Sequence, residues 1–142
     1  MPPLHLSPIP AGPVLLAVHS SAAGGRQWDG WRRQPPHHAS WLTPDLLGYD
    51  ERPWPLGVPV TLQREAEALA PLLRSAPHGA HLVGHSYGGA VALELALRWP
   101  QHVRSLTLYE PMRPALLRGL RPDHHRVFEN FVAFGREVGV AV

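Results

Sequence analysis

Ser86 stands within Gly84-His85-Ser86-Tyr87-Gly88-Gly89, with a glycine two positions before it and two after it. A serine hydroxyl becomes a useful nucleophile only when it is held clear of its neighbours and given a route for its proton. The G-x-S-x-G spacing meets the first need where a strand turns sharply into a helix. Small flanking residues permit the tight turn, which lifts the hydroxyl away from the sheet. The first N–H groups of the following helix then face the same point and favour an anion there. The flanks fit this picture, because Ala80-His81-Leu82-Val83 is apolar and strand-like and the segment from Ala90 to Trp99 is helix-like. The competing reading is a chance match in a glycine-rich turn. The strand before, the helix after and the additional Gly89 argue against it.

Such a serine needs a scaffold, and the chain offers strand and helix signals in alternation. Val14-Leu15-Leu16-Ala17-Val18 is a continuous apolar run suited to a strand buried on both faces of a parallel sheet. It empties into a loop of mostly small residues, His19 to Gly25. Arg26 to Arg33 predicts a short helix ended by Pro35-Pro36, with Trp28 and Trp31 expected in the core rather than in an acyl pocket. Ala39 to Thr43 reads as a second strand and Pro44 to Asp50 as its exit loop, followed by an irregular stretch over 51–60. Leu62, Ala66, Leu69 and Leu73 recur at helical spacing between Thr61 and Arg74. Thr61 is placed to cap that helix, and Pro71 is expected to bend or shorten it.

Ala80 to Val83 is the third strand. In the helix after it, Val91, Leu93 and Leu97 supply bulk, while Gly89, Ala90 and Ala92 allow close approach to the sheet; Pro100 stops it. Val103 to Tyr109 is the fourth strand, closed by Glu110-Pro111. Residues 1–13 are proline-rich and irregular, with one short edge strand expected over Leu4 to Ile9. A loop over 112–126 precedes a last helix from Val127 to Val138. This alternation specifies the α/β class, a parallel sheet sandwiched by helices through right-handed crossovers. The loops at 19–25, 45–50, 84–89 and 110–113 all leave the carboxyl ends of strands, where such sheets gather their ligands.

With 142 residues, 44% of them hydrophobic, the chain suits one domain with a proper core. All thirteen basic residues are arginine, and nothing in the sequence explains the missing lysine. The lack of cysteine excludes disulfides, a thiol nucleophile and cysteine-based metal sites. Net charge is +2 with the arginines scattered, so no nucleic-acid footprint is visible. No apolar run reaches the length of a membrane span. Met1-Pro2-Pro3-Leu4-His5-Leu6 lacks the charged start and apolar core of a signal peptide, which leaves the cytoplasm as the default location.

Four motifs in order give the chain a resemblance to the α/β-hydrolase fold family, over about residues 14 to 111. Val14 to Ser21 is similar to that family's apolar strand followed by His-Gly-x, here His19-Ser20-Ser21. Pro44-Asp45-Leu46-Leu47-Gly48-Tyr49 resembles its Pro-Asp-x-x-Gly-x segment. Gly84 to Gly89 matches its nucleophile elbow, and Leu106-Thr107-Leu108-Tyr109-Glu110-Pro111 its next strand. The resemblance implies a partial α/β-hydrolase fold with about four core strands, with 112–142 as the start of a lid. It also implies a mechanism in which serine attacks an acyl carbon, a histidine takes its proton and an acid orients the histidine. Ser86 matches the nucleophile. The backbone N–H groups of Tyr87 and Ser21 match the two oxyanion donors. A small ester-like substrate is implied, and no cofactor or metal.

The chain departs from the family pattern in three places. Ser20 replaces the glycine after the histidine, and Asp50 replaces a second family glycine. The family's usual acid follows a later strand and its histidine follows the last one, and neither has a counterpart here. Glu110, after the strand that follows the elbow, is the one alternative acid, with an ordinary turn residue as the plainer reading. Among the histidines, His19 and His85 are expected to serve packing, and His124-His125 to be exposed loop residues. His37-His38 lack a third metal ligand at useful spacing. The sequence thus supports a serine hydrolase of the esterase type. It also leaves open a non-catalytic truncated fragment, or a binding remnant that keeps the cleft without turnover. The last strand would be an open sheet edge, a surface for self-association.

Overall fold

The computed structural model describes residues 12–34, 38–49 and 52–113, together with Arg126, Glu129, Asn130 and Ala133. The first strand, β1, is Val14–Val18, and four of its five residues are buried. A continuous run of branched and aliphatic side chains has no solvated face, so it belongs in the middle of a covered parallel sheet. It lies there, in the order β2-β1-β3-β4, where β2 is Ser40–Leu42, β3 is Ala80–His85 and β4 is Val103–Tyr109. All three pairings are parallel, with Leu16 opposite both Leu42 and Leu82, and Gly84 opposite both Val18 and Leu108.

A 3-10 turn, Gly25–Trp28, leads into the short helix α1, Asp29–Arg32. The longer helices are α2, Leu62–Arg74, and α3, Tyr87–Arg98. The side chain of Thr61 caps α2 by accepting the Arg64 N–H at 3.2 Å. The chain steps one way from β1 to β2 and the other way from β2 through β3 to β4. Right-handed crossovers therefore place α1 on one face and bring α2 and α3 together on the other. Leu16, Leu69, Leu73, Leu82, Val91 and Leu95 fill the space between sheet and helices.

Several expectations need correction. β3 continues past Val83 through Gly84 and His85, because β4 still offers partners at Leu108 and Tyr109. Pro71 does not shorten α2, which runs on to Arg74: it sits on the exposed side of the helix, so the hydrogen bond it lacks is lost towards solvent. Trp28 is in the core, but Trp31 is 65% exposed, since a four-residue helix has too little face to bury both. Leu97 is likewise 65% exposed, on the last turn of α3, and does not add to the core.

The chain divides into two compact units, Met1–Met112 and Arg113–Val142. In the second unit Arg126, Glu129, Asn130 and Ala133 are helical, the last three within the helix expected over Val127 to Val138. The edge strand expected over Leu4 to Ile9 lies outside the described residues, as do Asp50, His37, His124 and His125. Among the described residues no helix is long and apolar enough to cross a membrane.

Candidate active site

The carboxyl ends of the four strands deliver His19–Ser21, Thr43–Asp45, Ser86–Tyr87 and Glu110–Met112 to one edge of the sheet. Ser86 is the hinge between β3 and α3, with φ 54° and ψ −118°. That left-handed region disfavours any side chain, so a serine there is held by its surroundings. The holding groups are on β4 and its exit turn. The Ser86 N–H donates to the Tyr109 carbonyl at 3.0 Å, and the Met112 N–H donates to the Ser86 carbonyl at 2.9 Å. Gly89 and Ala90 N–H groups donate to that same carbonyl and start the helix.

The glycines of the turn are there for space. A Cβ on Gly84 would stand 2.6 Å from the Gly88 carbonyl oxygen, and one on Gly88 would collide with the carbonyl oxygens of Val18 and His19. Gly88 therefore lets the start of α3 sit against the end of β1. That contact brings the His19–Ser21 backbone beside the elbow. Tyr87 and Gly88 are the first residues of α3, where N–H groups have no acceptor within the helix. Ser86 is half-buried, and Ser21 is exposed.

His19 is fully buried, and both its ring nitrogens face backbone groups. The Leu46 N–H donates to Nε2 at 2.9 Å. Nε2 is therefore unprotonated and Nδ1 carries the hydrogen, which it donates to the Ser20 carbonyl at 2.8 Å. The Gly24 N–H is also directed at Nδ1, at 3.1 Å, but a proton on Nδ1 is the one placement that satisfies both the shorter Leu46 and Ser20 contacts. His19 thus has no nitrogen left to take a proton from Ser86, in line with a packing role.

Gln27 joins the two halves of the site. Its Oε1 accepts both the Ser20 N–H and the Ser20 hydroxyl, each at 2.9 Å. Its Nε2 therefore points the other way and donates to Nδ1 of His85 at 3.0 Å. His85 also packs on Tyr109, with ring centroids 5.0 Å apart. The hydroxyl of Ser20 is thus tied down at the position where the family pattern has glycine.

Below the elbow lies a polar cluster that the sequence analysis did not single out. Glu65 on α2 is 1% exposed and accepts the Leu47 N–H at 3.1 Å. Burial raises its carboxyl from 4.5 to about 7, against the Leu47 hydrogen bond and the positive charge of Arg52, which both lower it. Burial lowers the Arg52 guanidinium from its ordinary value, opposed by Glu65 and Asp45. Arg52 donates to the carbonyls of Asp45 at 2.8 Å and Ala68 at 3.4 Å, and Asp45 Oδ1 accepts the Gly25 N–H at 2.7 Å. Burial pushes the Tyr87 phenol up to about 12, with the nearby Glu65 charge and Tyr49 adding to the shift. A signal for Glu65 was present: it falls on the Leu62–Ala66–Leu69 stripe, where a carboxylate is out of place. Gln27 gave no such signal.

Glu110, next to Tyr109 in the turn that clasps Ser86, is exposed and also has a left-handed backbone, φ 45°. Among the described residues no group of three or more histidine, aspartate or glutamate side chains could hold a metal ion. A cavity of about 360 Å³ lies at the opposite, amino ends of β1 and β3, lined by Pro13, His78, Gly79 and Arg104 among others, and is separate from this site.

Comparison with known proteins agrees with the fold. A family described as "Alpha/beta hydrolase family" matches residues 14–140. Lipase LipV of Mycobacterium tuberculosis is 38% identical over 107 residues, covering 72% of this chain and 39% of that protein. A 2-hydroxy-6-oxo-2,4-heptadienoate hydrolase of Pseudomonas putida is 32% identical over 108 residues, covering 73% of this chain and 39% of that protein. In structure, the chain is similar to an esterase from Exiguobacterium antarcticum, with a TM-score of 0.66 at 20% identity, covering 75% of this chain and 40% of that one. The chain thus spans about two-fifths of the length of these relatives.

Proposed function

The chain belongs to the alpha/beta hydrolase family, and from that premise we propose that it carries the nucleophile and oxyanion-binding part of an esterase-type serine hydrolase site. Ser86 Oγ attacks the acyl carbon of a small ester-like substrate. The Oγ–C bond forms, and the carbonyl oxygen takes up the negative charge. Collapse of that intermediate expels the alkoxide as alcohol and leaves an acyl-enzyme, which water then hydrolyses. The N–H groups of Tyr87 and Ser21 receive the oxyanion, an interaction that strengthens as charge develops. The single observation that carries this reading is the backbone of Ser86: a serine kept at φ 54°, clasped by Tyr109 and Met112 at a helix start. An ordinary turn would have no need of it.

The proton of Ser86 needs an acceptor. His19 is engaged at both nitrogens, and Nδ1 of His85 is occupied by Gln27. The base in this reading comes from outside the described residues, and Glu110 is the acid that would orient it. A fluorophosphonate probe tests the reading: it should label the wild-type chain and fail on Ser86→Ala. Folded wild-type protein that resists the probe would refute it.

The engaged histidines also favour a second reading, a chain that binds ligands in this cleft without turning them over. Stabilisation by a non-hydrolysed ester analogue, with no probe labelling, would support it. Reading the DNA that follows the coding segment for a further strand and a histidine separates this from a divided hydrolase. Among the described residues β4 is the outer strand on one side of the sheet, and Tyr109 upon it is 61% exposed, which favours self-association through that edge. Sedimentation of the wild type against a variant with proline at Thr107 tests it.

A further inference from the structure

We infer that Glu65 is the positioning residue for the Ser21 N–H donor, acting through the backbone of Leu46 and Leu47 and the ring of His19. The inference rests on the reading of Ser21 as an oxyanion donor, and it gives a task to a buried carboxyl that the chemistry itself does not use.

The path is short and made of hydrogen bonds. Glu65 accepts the Leu47 N–H at 3.1 Å. The preceding N–H, on Leu46, donates to Nε2 of His19 at 2.9 Å and so fixes which ring nitrogen carries the proton. That proton, on Nδ1, goes to the Ser20 carbonyl at 2.8 Å. The Ser20 carbonyl and the Ser21 N–H are two ends of one planar trans peptide, so fixing one end aims the other. The same loop ties down the next residue, because the Tyr49 hydroxyl accepts the Ala22 N–H at 3.0 Å. Tyr49 also meets the His19 ring edge-on, 4.8 Å between centroids. Ala22 has φ 59°, which a non-glycine residue holds only when its neighbours enforce it. Ser21 is therefore bracketed by two residues, His19 and Tyr49, that both depend on the loop Glu65 anchors.

Glu65 is anchored in turn. It is 1% exposed on α2, whose Ala66, Leu69 and Leu73 are fully buried, so the carboxyl cannot swing into solvent without moving the helix. The groups facing it are Arg52, with Asp45 beside that guanidinium, from the segment after β2, and Tyr87 from α3, with Tyr49 next to Tyr87. Its own carboxyl is raised to about 7, so its charge changes near neutral pH and the linkage can be followed by titration.

The test uses the full chain, 15N-labelled, as wild type, Glu65→Gln and Glu65→Leu. Gln keeps an acceptor for the Leu47 N–H and cannot ionise; Leu removes the acceptor. In Glu65→Leu the Ser21 amide signal should shift, and the His19 ring nitrogens should lose their distinct Nδ1-protonated pattern. In Glu65→Gln both should stay in place. The rate of Ser86 labelling by a fluorophosphonate should fall about tenfold or more in Glu65→Leu and change less than about threefold in Glu65→Gln, since an oxyanion donor is worth roughly 10²–10³ in rate. Folded Glu65→Leu with unmoved Ser21 and His19 signals overturns the inference. If Glu65→Leu does not fold, the pH titration decides. Ser21 and His19 signals should follow an inflection near 7 in wild type that is missing in Glu65→Gln; identical profiles overturn the inference. If wild type is not labelled at all, the hydrolase reading falls, while the nuclear signals still judge the placement of Ser21.

Discussion

Glu65 makes the stability of this chain depend on pH in a direction opposite to most carboxylates. A surface or salt-bridged carboxylate has a folded-state value below its unfolded one and stabilises the protein as pH rises. Glu65 has its value raised by burial from 4.5 to about 7, so between these values the folded chain binds more protons than the unfolded chain. Stability from this group is therefore complete below the unfolded value and is lost as pH rises through the folded one. The shift corresponds to about 3 kcal/mol in full, of which about 2.5 kcal/mol falls between roughly pH 5 and pH 8. Against a total of about 5–15 kcal/mol for a domain, that is large. Urea unfolding of wild type and Glu65→Gln at the two pH values isolates it, because the other titrating groups are common to both. The wild type should lose about 2.5 kcal/mol more than Glu65→Gln on going from the lower pH to the higher. A difference that stays flat or changes sign would refute the burial argument and, with it, the assignment of Glu65 as an ionisable group inside the core.

Four further outcomes follow from the elbow and its supports. Ser86→Gly should abolish probe labelling while raising stability by about 1 kcal/mol, because glycine relieves the left-handed backbone; thermal unfolding and labelling of one sample check both. Gly88→Ala should destabilise the chain by roughly 1–3 kcal/mol or more, since its methyl group collides with the carbonyls of Val18 and His19; denaturant unfolding measures it. Gln27→Leu should cost about 1–3 kcal/mol by stranding the Ser20 N–H, and should slow Ser86 labelling by loosening the oxyanion loop. Arg98→Ala removes an exposed ion pair to Glu67 at 2.9 Å and should change stability by less than about 1 kcal/mol, which makes it a control for the larger effects.

The parts that were legible in the sequence are those whose constraints are local. The elbow could be read because a tight turn needs glycine at fixed positions, and the structure shows the Cβ collisions that enforce it. β1 could be read because five apolar residues in a row have only one comfortable place in an α/β protein. Thr61 could be read as a cap because the cap bond spans three residues. The wiring of the site could not be read, because its contacts join distant parts of the chain. Gln27 reaches His85 across 58 positions, and Glu65 reaches Leu47 across 18. Periodicity marks neither His85 nor Leu47 as the distant partner. Trp31 and Leu97 failed for a related reason: their types favour burial, but the short α1 and the end of α3 offer them no neighbour among the described residues to bury against.

Taken together, the site divides by how its groups are held. In the proposed reading β4 and its turn clasp Ser86 through the backbone and the first turn of α3 presents Tyr87, while the side chains of His19 and Tyr49 bracket Ser21. The placement of Ser86 and Tyr87 rests on main-chain hydrogen bonds and helix geometry, whereas that of Ser21 depends on side chains distant in sequence. Proton transfer differs, because it needs a side chain with a free nitrogen or oxygen delivered to Ser86 Oγ. His19 and His85 illustrate the difference, since each is spent on holding a loop. A chain that only had to fold would gain by glycine at position 86 and by glutamine, which keeps the acceptor for the Leu47 N–H without a charge, at position 65. Both positions instead carry a local cost, about 1–3 kcal/mol for a strained backbone and a similar amount for the buried carboxyl, and both costs fall on groups that aim hydrogen bonds at one point.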